Sequence, residues 1–388
     1  MTRKEIEAEL LDWMTESNRT PDIAGDEARF TRIALALFRF QHDACEPYAR
    51  LCRSLGRDPA NVHRFEEIPA VPTGAFKEFP LRSFPEADTI KTFRTSGTGS
   101  DRQGELHLDT LKLYEASLIA SLRRYFIPDL LGQAPEMRFL APNTKESPDS
   151  SLSHMFDVLA RAEGGDQSRF DLARGTLDLK SFEAAIVRAR TSNTPLVVAG
   201  TSFAFVHFLD HVSDPSNSEV AADRWTLPPR SRVMETGGFK GRSRVVPREV
   251  LRAKIAACFG LDESRIVNQY GMTELASQFY DSTLIDPEGP RRKLLPPWTR
   301  VRFVDPESAD DVAPGGVGMI IIHDLANTGS VAAIQTADLG RAILDASGQM
   351  IGFDVVGREE GAEARGCSIA TDVMLDASGR SRTELGTG

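Results

Sequence analysis

Arg94-Thr95-Ser96-Gly97-Thr98-Gly99-Ser100 sets three short hydroxyl side chains, Thr95, Ser96 and Thr98, about Gly97, with Gly99 and Ser100 following at once. Small side chains let backbone N–H groups close on an anion, and hydroxyls add donors without filling the space. A loop of this kind can hold a polyphosphate. Taken alone it is equally the composition of an ordinary turn, so its meaning depends on the rest of the chain.

Downstream, Leu108–Phe126 reads as a helix with Leu111, Tyr114, Leu118 and Leu122 along one side. Short apolar runs then alternate with helices. Met137–Ala141, Pro195–Ala199, Arg232–Glu235 and Arg265–Asn268 read as strands. Ser150–Arg161, Asp178–Arg190, Phe203–His211 and Pro247–Phe259 read as helices, the last with proline at its first position, where a missing N–H does no harm. Strand, small-residue turn, helix, repeated, is the pattern of a mainly parallel α/β sheet. Ligands of such sheets sit beyond the carboxyl ends of the strands. Three turns leave strands there: Gly200-Thr201-Ser202, Thr236-Gly237-Gly238-Phe239-Lys240 and Tyr270-Gly271-Met272-Thr273-Glu274. The geometry predicts that they face one cleft.

Upstream, Ile6, Leu10, Trp13 and Met14, then Phe30, Ile33, Leu37 and Phe40, stand at helical spacing, and a third helix follows Pro47. The proline-rich stretch from Ile68 to Phe84 is an irregular lead-in holding Thr73 and Lys77, either a pair near the phosphates or an exposed loop lysine. From Pro296 the texture turns to short β-like runs at 301–304, 318–323, 331–336 and 341–344, separated by Gly, Pro and Asp. Residues 1–356 are therefore expected to form one large α/β domain, with a helical part over 1–67 and a β-rich subdomain over 296–356. A short C-terminal segment, 357–388, carries Cys367, and the tail after Thr371 is expected to fray.

In 388 residues, 41% hydrophobic and 26% charged, the composition is that of a soluble globular protein. The longest apolar runs, such as Met319–Ile322, are too short to cross a bilayer, and the N-terminus has no apolar signal region, so a cytoplasmic location is expected. Net charge is −10 and no long basic run occurs, which argues against a nucleic-acid or anionic-membrane partner. An acidic chain that binds a polyanion needs local donors and a divalent cation. Cys45, Cys52, Cys258 and Cys367 form no Cys-x-x-Cys pair, so neither a zinc site nor a disulfide framework is indicated.

The pairing of Thr95-Ser96-Gly97-Thr98 with Tyr270-Gly271-Met272-Thr273-Glu274 resembles the signature of the adenylate-forming enzymes. In order and spacing, Asp338 in Gln335-Thr336-Ala337-Asp338 and Arg358 in Val356-Gly357-Arg358 look like that superfamily's ribose-binding Asp and hinge-region Arg. More narrowly, Pro72-Thr73-Gly74-Ala75-Phe76-Lys77-Glu78 and Ala364-Arg365-Gly366-Cys367-Ser368 resemble the acyl-protein synthetases of bioluminescence operons (LuxE-type). The likeness runs from about residue 68 to 370. It implies an adenylate-forming large domain with a truncated C-terminal segment, and a fatty acid activated by ATP and Mg²⁺ to acyl-AMP, then passed to a protein thiol for a reductase or carrier partner.

The resemblance also assigns roles. Thr95, Ser96, Gly97 and Thr98 would bind the β- and γ-phosphates, Glu274 would hold Mg²⁺, and Thr273 would contact the α-phosphate. Gly237 and Gly238 would let the adenine lie against the backbone with Tyr270 stacking on it, Gly271 would also bind the nucleotide, Asp338 and Arg358 would bind the ribose, and Lys240 would contact the substrate. Phe203, Phe205 and Phe208 with Met155 and Phe156 would line an acyl tunnel, and His154 would touch the carboxylate. Cys367, after Arg365 and Gly366, would be the acyl acceptor, since a nearby guanidinium favours the thiolate. Simpler readings stand beside these: Glu274 as a helix N-terminal acid, Asp338 as a turn residue, the phenylalanines as core, His154 as a structural histidine, and Cys367 as a half-buried thiol. Two departures from the superfamily pattern stand out. The phosphate loop continues as Gly99-Ser100-Asp101-Arg102-Gln103-Gly104 instead of through a second Thr, Gly, Pro and Lys, so Arg102 is a candidate substitute. No lysine occurs beyond Lys293, so Lys77 or Lys240 must supply the catalytic charge, or adenylation proceeds without it. An acyl- or aryl-CoA ligase and a non-catalytic binding subunit of an acyl-reductase complex are the competing readings.

Overall fold

A computed structural model describes residues 1–19, 26–95, 102–213, 224–237, 246–358 and residue 374. It opens with three helices, α1 (Arg3–Arg19), α2 (Glu27–Ala44) and α3 (Glu46–Ser54). The apolar stripes that predicted α1 and α2 are buried, Ile6, Leu10 and Trp13 facing Phe30, Ile33 and Leu37 in one core. Asp26 caps α2 by accepting the Arg29 N–H at 2.9 Å. There follow β1 (Val71–Pro72), the single turn α4 (Ala75–Glu78), a hairpin of β2 (Lys91–Arg94) and β3 (Glu105–Leu108), and α5 (Lys112–Tyr125). The helix expected from Leu108 thus begins at Lys112, and Leu108 ends a strand instead.

The alternating region runs β4 (Glu136–Leu140), α6 (Ser151–Glu163), β5 (Arg169–Phe170), a small ribbon of β6 (Leu172–Ala173) and β7 (Thr176–Leu177), α7 (Leu179–Ser192), β8 (Leu196–Thr201), α8 (Ser202–Val212), β9 (Arg232–Thr236), α9 (Arg248–Phe259), β10 (Ile266–Tyr270) and β11 (Phe279–Tyr280). Ser150, Asp178 and Thr201 cap α6, α7 and α8 through their side-chain oxygens. Helix α9 stops at Gly260, whose φ of +62° gives the left-handed turn that a side chain would strain. The sheet order is β11-β10-β9-β8-β4-β5, parallel except for β11. From β4 the chain goes first to β5 on one side and then to β8 on the other. The order therefore reverses at β4, and the carboxyl ends of β4 and β8 form the kind of switch point at which such sheets bind ligands.

Alternate residues of these strands serve two cores. Met137, Phe139, Val197, Ala199, Met234 and Val267 join the larger one with α1, α2, α5 and α6. Leu196, Val198, Val233 and Ile266 face α7, α8 and α9.

The last part holds β12 (Thr299–Val304), β13 (Gly318–Asp324), β14 (Ala333–Leu344) and β15 (Met350–Arg358). Runs 331–336 and 341–344, read separately in the sequence, are one long strand. Strand β14 pairs with β13 on one side, and with both β1 and β15 on the other. Met374 is fully buried in the larger core, where a frayed tail had been expected. Among the described residues no helix is long and apolar enough to cross a membrane.

Candidate active site

Because β8, β9 and β10 are parallel and adjacent, the turns after Gly200, Thr236 and Tyr270 leave the sheet at one edge. Gly237 has φ +76°, a conformation glycine adopts freely, and its carbonyl lies 3.0 Å from the Ser202 hydroxyl at the start of α8. Tyr270 donates its hydroxyl to Asp338 Oδ2 at 2.8 Å, across sixty-eight residues of sequence and from one sheet to the other. Burial, and then the Asp338 charge, hold the Tyr270 phenol well above its usual pKa, so it remains a donor. Asp338 stands directly opposite Arg358 in the β14–β15 ladder. Tyr270, Asp338 and Arg358 thus meet at one place. Asp338 lies within a continuous strand, not a turn.

On the other flank, the β2–β3 hairpin is closed by Thr95 and Gly104. The Thr95 N–H donates to the Gly104 carbonyl at 2.9 Å, and the Gly104 N–H donates to Thr95 Oγ1 at 2.9 Å. The Thr95 hydroxyl keeps its own proton to donate. A Cβ added at Gly104 would lie 3.2 Å from Thr95 Cγ2, 3.5 Å from Phe76 Cβ and 3.6 Å from Glu274 Oε1. Residues from the hairpin, from α4 and from the Tyr270–Glu274 turn therefore crowd one point that a bare glycine keeps open. Lys77 is the next residue of α4 and is half-buried. Arg102 pairs with Glu78 of the same turn.

Glu274 is 7% exposed. No helix follows it: residues 272–275 form a turn that leads to β11, which removes the helix-terminus reading. The turn is held from β13 and its following loop. Asn327 donates its amide to the Glu274 carbonyl at 3.0 Å. Asp324 accepts the Ala276 and Ser277 N–H groups at 2.8 Å each and the Ser277 hydroxyl at 2.7 Å. Burial pushes the Asp324 carboxyl up to about 6 despite these donors. Thr273 and Gly271 lie in or beside the same turn, half-buried. Among the described residues no group of three His, Cys, Asp or Glu side chains could hold a metal by itself.

The residues expected around the acid do not all come together. His154 is buried against Phe93 and Tyr114 (ring centroids 5.3 and 5.8 Å) with Nε2 3.1 Å from Glu115; burial lowers its pKa. Phe205 and Phe208 belong to the core on the α7–α9 face, Phe208 stacking on Phe259 at 5.6 Å, whereas Met155 and Phe156 belong to the opposite core. The five therefore line no common tunnel, because the sheet lies between them. Phe203 alone is half-buried, at the start of α8 with its ring against His207. A cavity of about 300 Å³ lies instead between α8 and α9, lined in part by Val206, Leu209, Trp225 and Leu251 and also by Asp210 and Lys254. Ser96, Gly97, Thr98, Gly238, Lys240 and Cys367 lie outside the described residues.

The sequence reading missed the polar supports beneath the site. Glu235 accepts hydrogen bonds from Ser202 and from the Asn268 amide, and Lys293 pairs with Asp281 at 2.9 Å. Single buried charges carry no periodicity, and only their place at strand ends marked them.

Solved structures share this fold. The open conformation of 2-hydroxyisobutyryl-CoA ligase, in complex with 2-HIB-AMP and CoA, superposes with a TM-score of 0.59 at 13% identity, covering 84% of this chain and 74% of that one. The fold is that of the adenylate-forming ligases. By sequence, the chain is 24% identical over 313 residues to a long-chain-fatty-acid–luciferin-component ligase of Aliivibrio fischeri, covering 80% of this chain and 78% of that one. It is 19% identical over 351 residues to the Vibrio harveyi protein of the same name, covering 89% and 88%. Residues 171–376 match the acyl-protein synthetase (LuxE) family. That match spans the Tyr270–Glu274 turn, Asp338 and Arg358, and the chain belongs to the LuxE acyl-protein synthetase family.

Proposed function

We propose that the protein activates a long-chain fatty acid with ATP and passes the acyl group to a protein thiol, its own Cys367, for delivery to a reductase or carrier. The observation that carries this reading is the Tyr270–Asp338 bond at one end of the cleft together with the Thr95–Gly104–Glu274 contact at the other. In the first step a carboxylate oxygen bonds to the α-phosphorus and pyrophosphate leaves. In the second, a thiolate attacks the acyl carbonyl and AMP departs with the bonding pair.

Within that scheme Asp338 keeps Oδ1 for the ribose hydroxyls while Tyr270 occupies Oδ2. Arg358 donates beside it, and the Gly237 backbone and the Tyr270 ring flank the adenine, with Gly238 and Gly271 alongside. Thr95, with Ser96, Gly97 and Thr98, donates to the terminal phosphates, and Thr273 to the α-phosphate, where charge builds in the transition state. Mg²⁺ would supply Lewis acidity there. A single carboxylate, Glu274, beside a cradle kept open by Gly104 fits a hard cation that takes its other ligands from phosphate oxygens and water. Lys77 or Lys240 offers the positive charge. His154 and Phe203 stand as further candidates on the acid side, and the α8–α9 cavity is a candidate for the tail.

The other thiols favour Cys367 by default. Burial pushes Cys52 and Cys258 up to about 12 and raises Cys45 as well, so none of them is a ready nucleophile. The test is incubation with ATP, Mg²⁺ and a panel of acids, following pyrophosphate exchange and intact mass. An acyl increment that Cys367→Ser abolishes while exchange survives supports the proposal. Turnover only with added coenzyme A indicates a CoA ligase instead, and no exchange with any acid indicates a binding subunit.

A further inference from the structure

Besides Tyr270, residue Lys293 ties the two sheets together by hydrogen bonds. Lys293 pairs antiparallel with Asp281, just beyond β11, and with Phe353 of β15. Its N–H donates to the Phe353 carbonyl at 2.6 Å, and the Phe353 N–H donates back at 3.0 Å. Strands β11 and β15 are each the outer strand on that side of their sheet, so residue 293 splices the two sheets.

Any amino acid could make that backbone splice. A buried ammonium is a separate matter, because its lost hydration must be made good by an acceptor for every proton. Lys293 is 5% exposed. Its Nζ donates to the Asn268 carbonyl at 2.7 Å, to Asn268 Oδ1 and to Asp281 Oδ1 at 2.9 Å, three acceptors for three protons. The polar chain then continues. The Asn268 amide donates to Glu235 Oε1 at 2.5 Å, Glu235 holds the Ser202 hydroxyl, and that hydroxyl lies 3.0 Å from the Gly237 carbonyl.

This one side chain therefore braces β10 two residues before Tyr270, and through Asn268 braces β9 two residues before Gly237. Its backbone meanwhile fixes Phe353, whose ring stands edge-on to Tyr270 at 6.0 Å, in the strand that ends at Arg358 opposite Asp338. We propose that Lys293 is a positioning residue that sets Tyr270 and Asp338, which come from different sheets, in register for the adenosine half of the nucleotide. The proposal rests on the adenylating reading of the cleft. It also accounts for the last lysine of the sequence: its protons are engaged beneath the site, so it serves alignment and not proton or charge transfer to the phosphates.

The test compares wild type, Lys293→Met and the double variant Lys293→Met/Asp281→Asn. AMP affinity is measured by calorimetry, melting temperature by scanning calorimetry, and KM for ATP and for the acid by pyrophosphate exchange. Both variants should bind AMP about tenfold or more weakly, with KM for ATP rising in parallel and KM for the acid unchanged. The double variant, which also releases Arg291 from its 2.7 Å pair with Asp281, should melt at a different temperature from the single one yet regain none of the AMP affinity. If affinity and melting temperature recover together, Lys293 is merely structural and the proposal fails. A wild-type protein that neither binds AMP nor exchanges pyrophosphate overturns the adenylating reading itself, and this proposal with it.

Discussion

Tyr270→Phe deletes one oxygen from the cleft and leaves everything else of that side chain in place. The ring keeps its contacts with Phe353 at 6.0 Å and Phe279 at 6.2 Å, so the loss is the 2.8 Å donation to Asp338. A hydrogen bond to a charged acceptor contributes roughly 1.5–3 kcal/mol. With an unfolding entropy of about 2.1 cal/mol/K per residue over 388 residues, each kcal/mol moves the melting temperature by about 1.2 °C, so it should fall by roughly 2–4 °C. Asp338, no longer held at Oδ2, must be oriented when nucleotide binds, so the same energy should reappear as a roughly ten- to hundredfold rise in KM for ATP. The acid's KM should not move. Scanning calorimetry and ATP-dependent pyrophosphate exchange read the two effects separately. An unchanged melting temperature together with an unchanged KM for ATP would refute both the bond and the assignment of this end of the cleft to adenosine.

His323 is 2% exposed, edge-on to Phe65 at 5.2 Å, with Nε2 lacking a hydrogen-bond partner; burial, and then Arg302, push its pKa down to about 3. The unfolded chain takes up a proton near pH 6.5 and the native state does not, so this group's stabilisation is complete above about 6.5 and is lost as pH falls toward 3. His323→Leu should leave stability at pH 7 nearly unchanged and make the protein about 2 kcal/mol more stable than wild type at pH 5; parallel pH–stability curves in urea titrations would contradict this. Met374→Ala, at a fully buried position of the larger core, should cost about 2–5 kcal/mol, and a melting temperature equal to wild type would show that the segment after Cys367 is not anchored there.

The parallel half was legible because its strands and helices repeat one period after another, with Ser150, Asp178 and Thr201 standing where helices start. Convergence of the three turns followed from strand direction alone. The β2–β3 hairpin was not legible, since Glu105-Leu106-His107-Leu108 alternates for too few residues and runs straight into the apolar spacing of α5. Strand β14 was read as two runs because Ala337-Asp338-Leu339-Gly340 has the composition of a turn. Pairing with β13 on one side and with β15 on the other keeps it extended. Gly352 and Gly357 similarly disguised β15. The acyl tunnel failed for a different reason: a helical stripe of phenylalanines says that a face is buried, not on which side of the sheet it lies.

Strand β1 finds its neighbour only at Ile334 and Gln335, with the Thr73 N–H closing on the Gln335 carbonyl at 3.0 Å. A nascent chain therefore exposes α4 and Lys77 long before the ribosome has made the strand that seats them. Contacts so remote in sequence form late and slowly. A polypeptide stalled short of Ala333 would hold every helix of the alternating half and still have no second wall for a nucleotide, so translation itself delays the appearance of any ATP-consuming activity until β14 has been made.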